Sequence, residues 1–172
     1  MDVASTEGLE GLTIGRLASQ LGLSKSGLFG HFGSKEQLQL AAIEEAARVF
    51  RREVVEPALE EPPGAARLRA LCEHYLDHLE RPTFPGGCFW TAAAAEFDGR
   101  PGPVRDAVQA AVAAWLEGLE REARVAGVKD PRQLAFEVYS FALAANLRSQ
   151  LMQDEGAFAL ARRAILQRLP RR

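Results

Sequence analysis

Apolar residues recur along this chain at spacings of three and four, and runs alternating with the period of two that a half-buried strand requires do not appear. Leu68, Leu71, Cys72, Tyr75, Leu76 and Leu79 form one unbroken stripe of this kind. Val104, Val108, Ala111, Val112, Trp115 and Leu119 form another. A chain with this period folds as an all-α protein. Its 172 residues, 47% apolar and 26% charged, suffice for a buried core and argue against disorder.

Punctuation between the stripes sets the expected helices. Thr13 is a good N-cap for a helix carrying Ile14, Leu17, Ala18 and Leu21, which Gly22 ends. Ser24 can cap a second short helix with Leu28 and Phe32 one turn apart, both read as core. Ser34 begins a third helix, with Gln37 placed for a capping box, and Leu38, Ala42, Ala46, Val49 and Phe50 carry it towards Pro57. The run EEPPGAA at 60–66 is a break. RPTFPGG at 81–87 and DGRPGP at 98–103 bracket a short helix in CFWTAAAAEF. Asp130 and Pro131 open a helix that is apolar on two faces, Leu134, Val138, Phe141, Ala142 and Ala145 on one, Phe136, Tyr139, Leu143 and Leu147 on the other. Phe158, Ala161, Ile165 and Leu169 mark a last helix before a basic end.

Several classes of function are disfavoured by the bulk sequence. No apolar run approaches the roughly 20 residues needed to span a bilayer, and MDVASTEG lacks the layout of a signal peptide, so a cytoplasmic protein without a membrane partner is expected. Cys72 and Cys88 do not imply a disulfide framework. The formal net charge of -2 gives no hint of a nucleic-acid partner, so any such surface must be local. One is present. Between Thr13 and Leu40 the cations Arg16, Lys25 and Lys35 face the single acid Glu36, and Ser24 to Phe32 holds no acid.

Two short helices joined by a tight turn, the second poor in acid, have the layout of a helix-turn-helix unit. The stretch GLTIGRLASQLGLSKSGLFGHFGSKEQL resembles the DNA-binding domain of the TetR family of bacterial transcriptional regulators, with Phe29, Gly30, His31, Phe32 and Lys35 at the end of the second helix and just beyond it. The close match covers roughly residues 8–45. The resemblance implies an N-terminal DNA-binding domain at 1–45 and a larger ligand-binding and dimerisation domain at 46–172. It also implies that Thr13, Phe29, His31 and Lys35 meet phosphates while Lys25, Ser26 and Gly27 face bases of double-stranded operator DNA. Phe29 and Gly27 depart from the family's usual Tyr and Thr or Ser, so weaker individual contacts are expected there. His31 taken alone also reads as a structural histidine. Only eight residues precede the motif, so the first helix is expected to be truncated and to leave Leu17, Leu28 and Ile43 under-covered.

By the same resemblance, the larger half takes a small-molecule effector and forms a homodimer through its last two helices, giving a ligand-responsive repressor. Tyr75, Leu79, Cys88, Phe89, Trp90, Phe97, Trp115 and Phe141 are the candidate effector lining, although aromatic residues at helical spacing also serve as plain core. Gly86 and Gly87 permit a tight turn ahead of Cys88 and Trp90. Cys88, at a helix start, is a candidate thiol sensor or an inert buried cysteine. A rival reading, a helical-bundle enzyme or metal-binding protein, rests on Cys72, His74 and His78 in CEHYLDHL, where the two histidines stand four apart. The helix stripe turns His74 towards the polar side, so no metal, cofactor or catalytic residue is expected.

Overall fold

The first helices follow their caps. In the computed structural model, which describes residues 2–170 except 82 and 85, α1 spans Asp2–Gly11, α2 Ile14–Leu21, α3 Lys25–Phe32 and α4 Lys35–Phe50. The Thr13 hydroxyl accepts the Arg16 N–H at 3.2 Å, Ser24 accepts the Gly27 N–H at 3.1 Å, and Ser34 accepts the Gln37 N–H at 3.1 Å. Gly22, at φ 64°, ends α2 in the left-handed conformation that glycine tolerates best.

The helix expected to run on to Pro57 does so, with a change of ladder. Residues Arg51–Val55 form a π-helical segment and Glu56–Ala58 a short α5. Pro57 has no N–H to give, and its ring crowds the carbonyl of Glu53, four residues back. The Glu56 N–H reaches the carbonyl of Arg51 instead, an i→i+5 bond. Beyond the break come α6 (Ala65–Glu80), α7 (Phe89–Phe97), α8 (Pro103–Val125), α9 (Pro131–Met152) and α10 (Ala157–Arg168). Asp130 caps α9 by accepting the Gln133 N–H at 3.0 Å. No strand occurs among the described residues. The prolines at 82 and 85 in the expected stop RPTFPGG, and the arginines at 171 and 172, lie outside the described residues.

Packing gathers these helices into two units, Met1–Arg48 with Phe84–Ala111 and Val49–Thr83 with Val112–Arg172, the divisions falling within α4 and α8. Residues 84–111 therefore pack with the N-terminal helices, whereas the sequence suggested consecutive stretches. Three backbone donors explain why. The Leu9 and Glu10 N–H groups give to a Glu96 carboxylate oxygen at 2.7 and 3.3 Å, and the Gly86 N–H gives to the Ser5 hydroxyl at 3.3 Å. Gly8, at φ 75°, breaks α1 where Glu96 enters, and a Cβ there would overlap that carboxylate. Val3, Ala4, Leu9, Leu12, Ile14, Ala18, Leu38 and Ile43 are buried in this unit, as are Phe89, Ala93 and Phe97 of α7.

The coverage expected to fail holds at Ile43, only 4% exposed, because α1 forms and its far end is tied to α4 by the Gln39 side-chain donor on the Leu9 carbonyl at 2.8 Å. Leu17 and Leu28 stay half-buried, and Phe32, expected in the core, is also half-buried.

In the second unit α6, α9 and α10 pack on one another, with Leu68, Leu71, Leu76, Leu119, Val138, Ala142, Phe158 and Ile165 buried. Glu122 is a buried carboxylate with a purpose at the 60–66 break. It accepts the Gly64 N–H at 3.0 Å and stands 3.8 Å from the Arg67 guanidinium, which secures the start of α6.

Candidate nucleic-acid interface

Helix α3 is short, KSGLFGHF, and of its three bulky apolar residues Leu28 and Phe32 are half-buried while Phe29 turns outward. None of its residues is buried, and Phe29, its largest outward side chain, is 56% exposed. A helix held on one side by its neighbours and exposed on the other is free to enter a groove. It packs on α2. Lys25, Ser26 and Gly27 form its exposed first turn, Phe29 and His31 are exposed further along, and His31 meets Phe32 edge-on at 4.7 Å. Thr13 is exposed at the head of α2, and its hydroxyl already serves as the cap. Lys35 begins α4 and is half-buried. All seven expected DNA-facing residues thus belong to the first unit.

The electrostatics of this surface depend on residues that the sequence reading did not single out. Lys35 Nζ donates to Glu10 at 2.6 Å, Arg16 pairs with Glu7, and the second oxygen of Glu10 lies 3.1 Å from Arg100, in the loop between α7 and α8. The Lys35 hydrogen bond is the main cause that holds the Glu10 carboxyl below the usual carboxylate range; burial opposes it, and the charges of Lys35 and Arg100 add to the lowering. Lys25 enters no ion pair among the described residues. No sequence signal ties Glu10 to Arg100, which stands 90 positions away; only packing brings them together.

The expected effector residues do not gather in one unit. Tyr75, Leu79, Trp115 and Phe141 belong to the second, where Phe50 stacks edge-on against Tyr75 and Trp115 at 5.8 and 5.1 Å and Tyr75 lies 4.9 Å from Trp115. Cys88, Phe89, Trp90 and Phe97 belong to the first, with Phe89 and Trp90 5.2 Å apart. Trp90 and Phe141 are half-buried and the other six are buried. The Trp115 indole N–H is buried with no acceptor among the described residues.

The metal or enzyme reading finds no support. Cys72 is fully enclosed, and burial pushes its thiol up to about 12, so it stays protonated and a poor ligand or nucleophile. His78 turns inward instead of sharing a face with His74, with Nδ1 2.8 Å from Glu53 and its ring edge-on to Phe50 at 5.6 Å. No group of three or more His, Cys, Asp or Glu that could hold a metal occurs among the described residues.

Two family profiles match the chain. Residues 1–42 match the one described as bacterial regulatory proteins, tetR family, and residues 64–165 match the one described as tetracyclin repressor-like, C-terminal domain. Among solved structures, a TetR transcriptional regulator from Chloroflexus aurantiacus is similar at a TM-score of 0.87 and 23% identity, covering 96% of this chain and 87% of that one. A TetR-family transcriptional regulator from Streptomyces coelicolor is similar at 0.84 and 23% identity, with the same coverage of 96% and 87%. AibR, solved in complex with isovaleryl coenzyme A and operator DNA, is similar at 0.74 and 19% identity, covering 98% and 92%. At these identities the likeness speaks for the fold. Comparison with curated protein sequences finds no match.

Proposed function

The chain belongs to the TetR family and is a DNA-binding transcriptional regulator, and from that premise we propose that it is an effector-responsive repressor that binds its operator as a homodimer in the cytoplasm. The observation that carries the reading is α3, a helix with no buried residue and with Lys25 and Ser26 in its exposed first turn. Residues 1–45 act as the DNA-binding part and 46–172 as the effector and dimerisation part. Lys25, Ser26 and Gly27 face bases, and Thr13, Phe29, His31 and Lys35 meet the backbone. No step of catalysis is assigned to it. No helix among the described residues is long and apolar enough to cross a membrane.

Dimerisation is supported by the outer face of α9 and α10. Phe136, Leu147, Leu151 and Met152 are 58–74% exposed along or at the end of α9, and Leu160 is 46% exposed on α10. Large apolar side chains repeated on one helix favour burial against a second copy. Two copies would present two α3 helices to half-sites one helical turn apart. AibR was solved with an acyl coenzyme A and operator DNA bound together; for this chain a small-molecule effector is proposed without that identity. An effector that binds better to the conformation unsuited to DNA would lower operator affinity by shifting populations.

The test pairs sedimentation with a gel shift on the promoter region beside the gene. The wild type is expected to sediment as a dimer and to shift that DNA. A Leu147→Asp/Leu151→Asp variant is expected to sediment as a monomer and to lose on the order of 10²-fold or more in affinity through lost avidity. A wild type that stays monomeric while binding DNA equally well would refute the dimer reading.

A further inference from the structure

Every phosphate contact proposed for a cation must first release whatever holds that cation in the free protein. For Lys35 the holder is Glu10, whose backbone is itself anchored. The Glu96 carboxylate receives the Leu9 and Glu10 N–H groups at the break in α1, and this fixes the backbone from which Glu10 projects. One Glu10 oxygen takes Lys35 and the other takes Arg100. Both partners are cations on other elements, α4 and the 98–102 loop.

The sharing of one carboxylate matters chemically. If Lys35 moved to a phosphate and Glu10 had no other partner, an uncompensated carboxylate would face the DNA and repel it. Arg100 removes that penalty. With Arg100 in place the trio keeps a net positive charge whichever anion Lys35 meets, and exchange among exposed groups costs little, since Lys35, Glu10 and Arg100 side chains are 39%, 50% and 56% exposed. We propose that Glu10 and Arg100 are positioning residues of the DNA interface: Glu10 holds Lys35 in the free protein and passes it to a DNA phosphate on binding, staying neutralised by Arg100. This rests on the reading of Lys35 as a phosphate contact. Glu7 and Arg16 repeat the holding arrangement in α1 and α2, with no second cation on Glu7 among the described residues.

The experiment measures binding of the full chain to a long mixed-sequence DNA duplex by fluorescence anisotropy over a range of salt, so no operator sequence is required. Glu10→Gln is expected to tighten binding about two- to fivefold, the size of an exposed ion pair. The slope of log K against log salt is expected to stay close to that of the wild type, because Lys35 neutralises one phosphate in both complexes. Glu117→Gln, the same charge change on α8 in the second unit, controls for net charge. Arg100→Gln is expected to weaken binding by a similar factor in the wild type and to have no effect in the Glu10→Gln background.

Equal effects of Arg100→Gln in both backgrounds would overturn the proposal, because Arg100 would then act independently of Glu10. So would a Glu10→Gln variant indistinguishable from Glu117→Gln. Lys35→Ala separates the underlying reading. If it weakens binding while Glu10→Gln does not tighten it, only the exchange fails. If it changes neither affinity nor slope in either background, Lys35 is no phosphate contact and both fall.

Discussion

His78 shows how a single residue changes meaning once its neighbours are known. In sequence it stands four positions from His74, a metal-ligand spacing; in the structure the residue is 7% exposed and its ring is hydrogen-bonded to Glu53 from the π-helical segment. The single Thr83 O–H lies within reach of both the Glu53 carboxylate at 3.5 Å and the His78 carbonyl at 3.3 Å, and donates to one of them at a time. Burial pushes the Glu53 carboxyl up, but the hydrogen bonds and charges of His78 and Arg52 more than offset it and leave the group below its ordinary value of 4.5. The unfolded chain therefore binds the proton more tightly than the folded one, and the pair's contribution is full above pH 4.5 and fades as the pH falls through the lower, folded value. Glu53→Gln is expected to lose about 1 kcal/mol at neutral pH, a modest figure because the carboxylate is partly hydrated. Urea unfolding at several pH values should show the wild type and variant converging below pH 4.5. A difference that persists unchanged at acid pH would argue against the ion pair. The sequence could not disclose the partner, because Glu53 lies 25 positions away on a different turn of chain.

At the scale of elements, the helix starts were the most legible part. Thr13, Ser24, Ser34 and Asp130 each cap as their side-chain chemistry demands, because the contact is local and spans three residues. The π-helical segment was not legible: Pro57 announces a disturbed ladder, but whether the helix ends or widens depends on the surrounding packing, where Val54 is fully buried. Helix α3 carries a testable weakness. A Cβ at Gly30 would meet no atom within 4 Å, so its glycine is not demanded by packing, and Gly30→Ala is expected to raise thermal stability by up to about 1 kcal/mol with DNA affinity retained. A loss of affinity in that variant would mean that DNA backbone approaches α3 at this position. Gly27 differs, since its Cβ would come 3.0 Å from the Ser24 hydroxyl that caps the helix.

At the scale of the whole molecule, the all-α class and the DNA-binding family were readable from helix period and one motif, while the division into units was not. Residues 84–111 join the N-terminal helices through contacts such as Glu96 with Leu9, 87 positions apart, which no local pattern records. The candidate effector residues divide between the units for the same reason. The seven candidate DNA residues come from one contiguous stretch, so local sequence alone keeps them within one unit.

Sequence-specific DNA binding through α3 is decided by comparing affinity for the gene's promoter duplex with affinity for mixed-sequence DNA, in the wild type and in Lys25→Ala. The wild type is expected to prefer the promoter duplex by about 10³-fold or more. Lys25→Ala is expected to lose about 10- to 100-fold on the promoter, the size of one base contact, and much less on mixed sequence. Equal affinity of the wild type for both duplexes, or a Lys25→Ala variant that keeps the full preference, would contradict the role given to this helix.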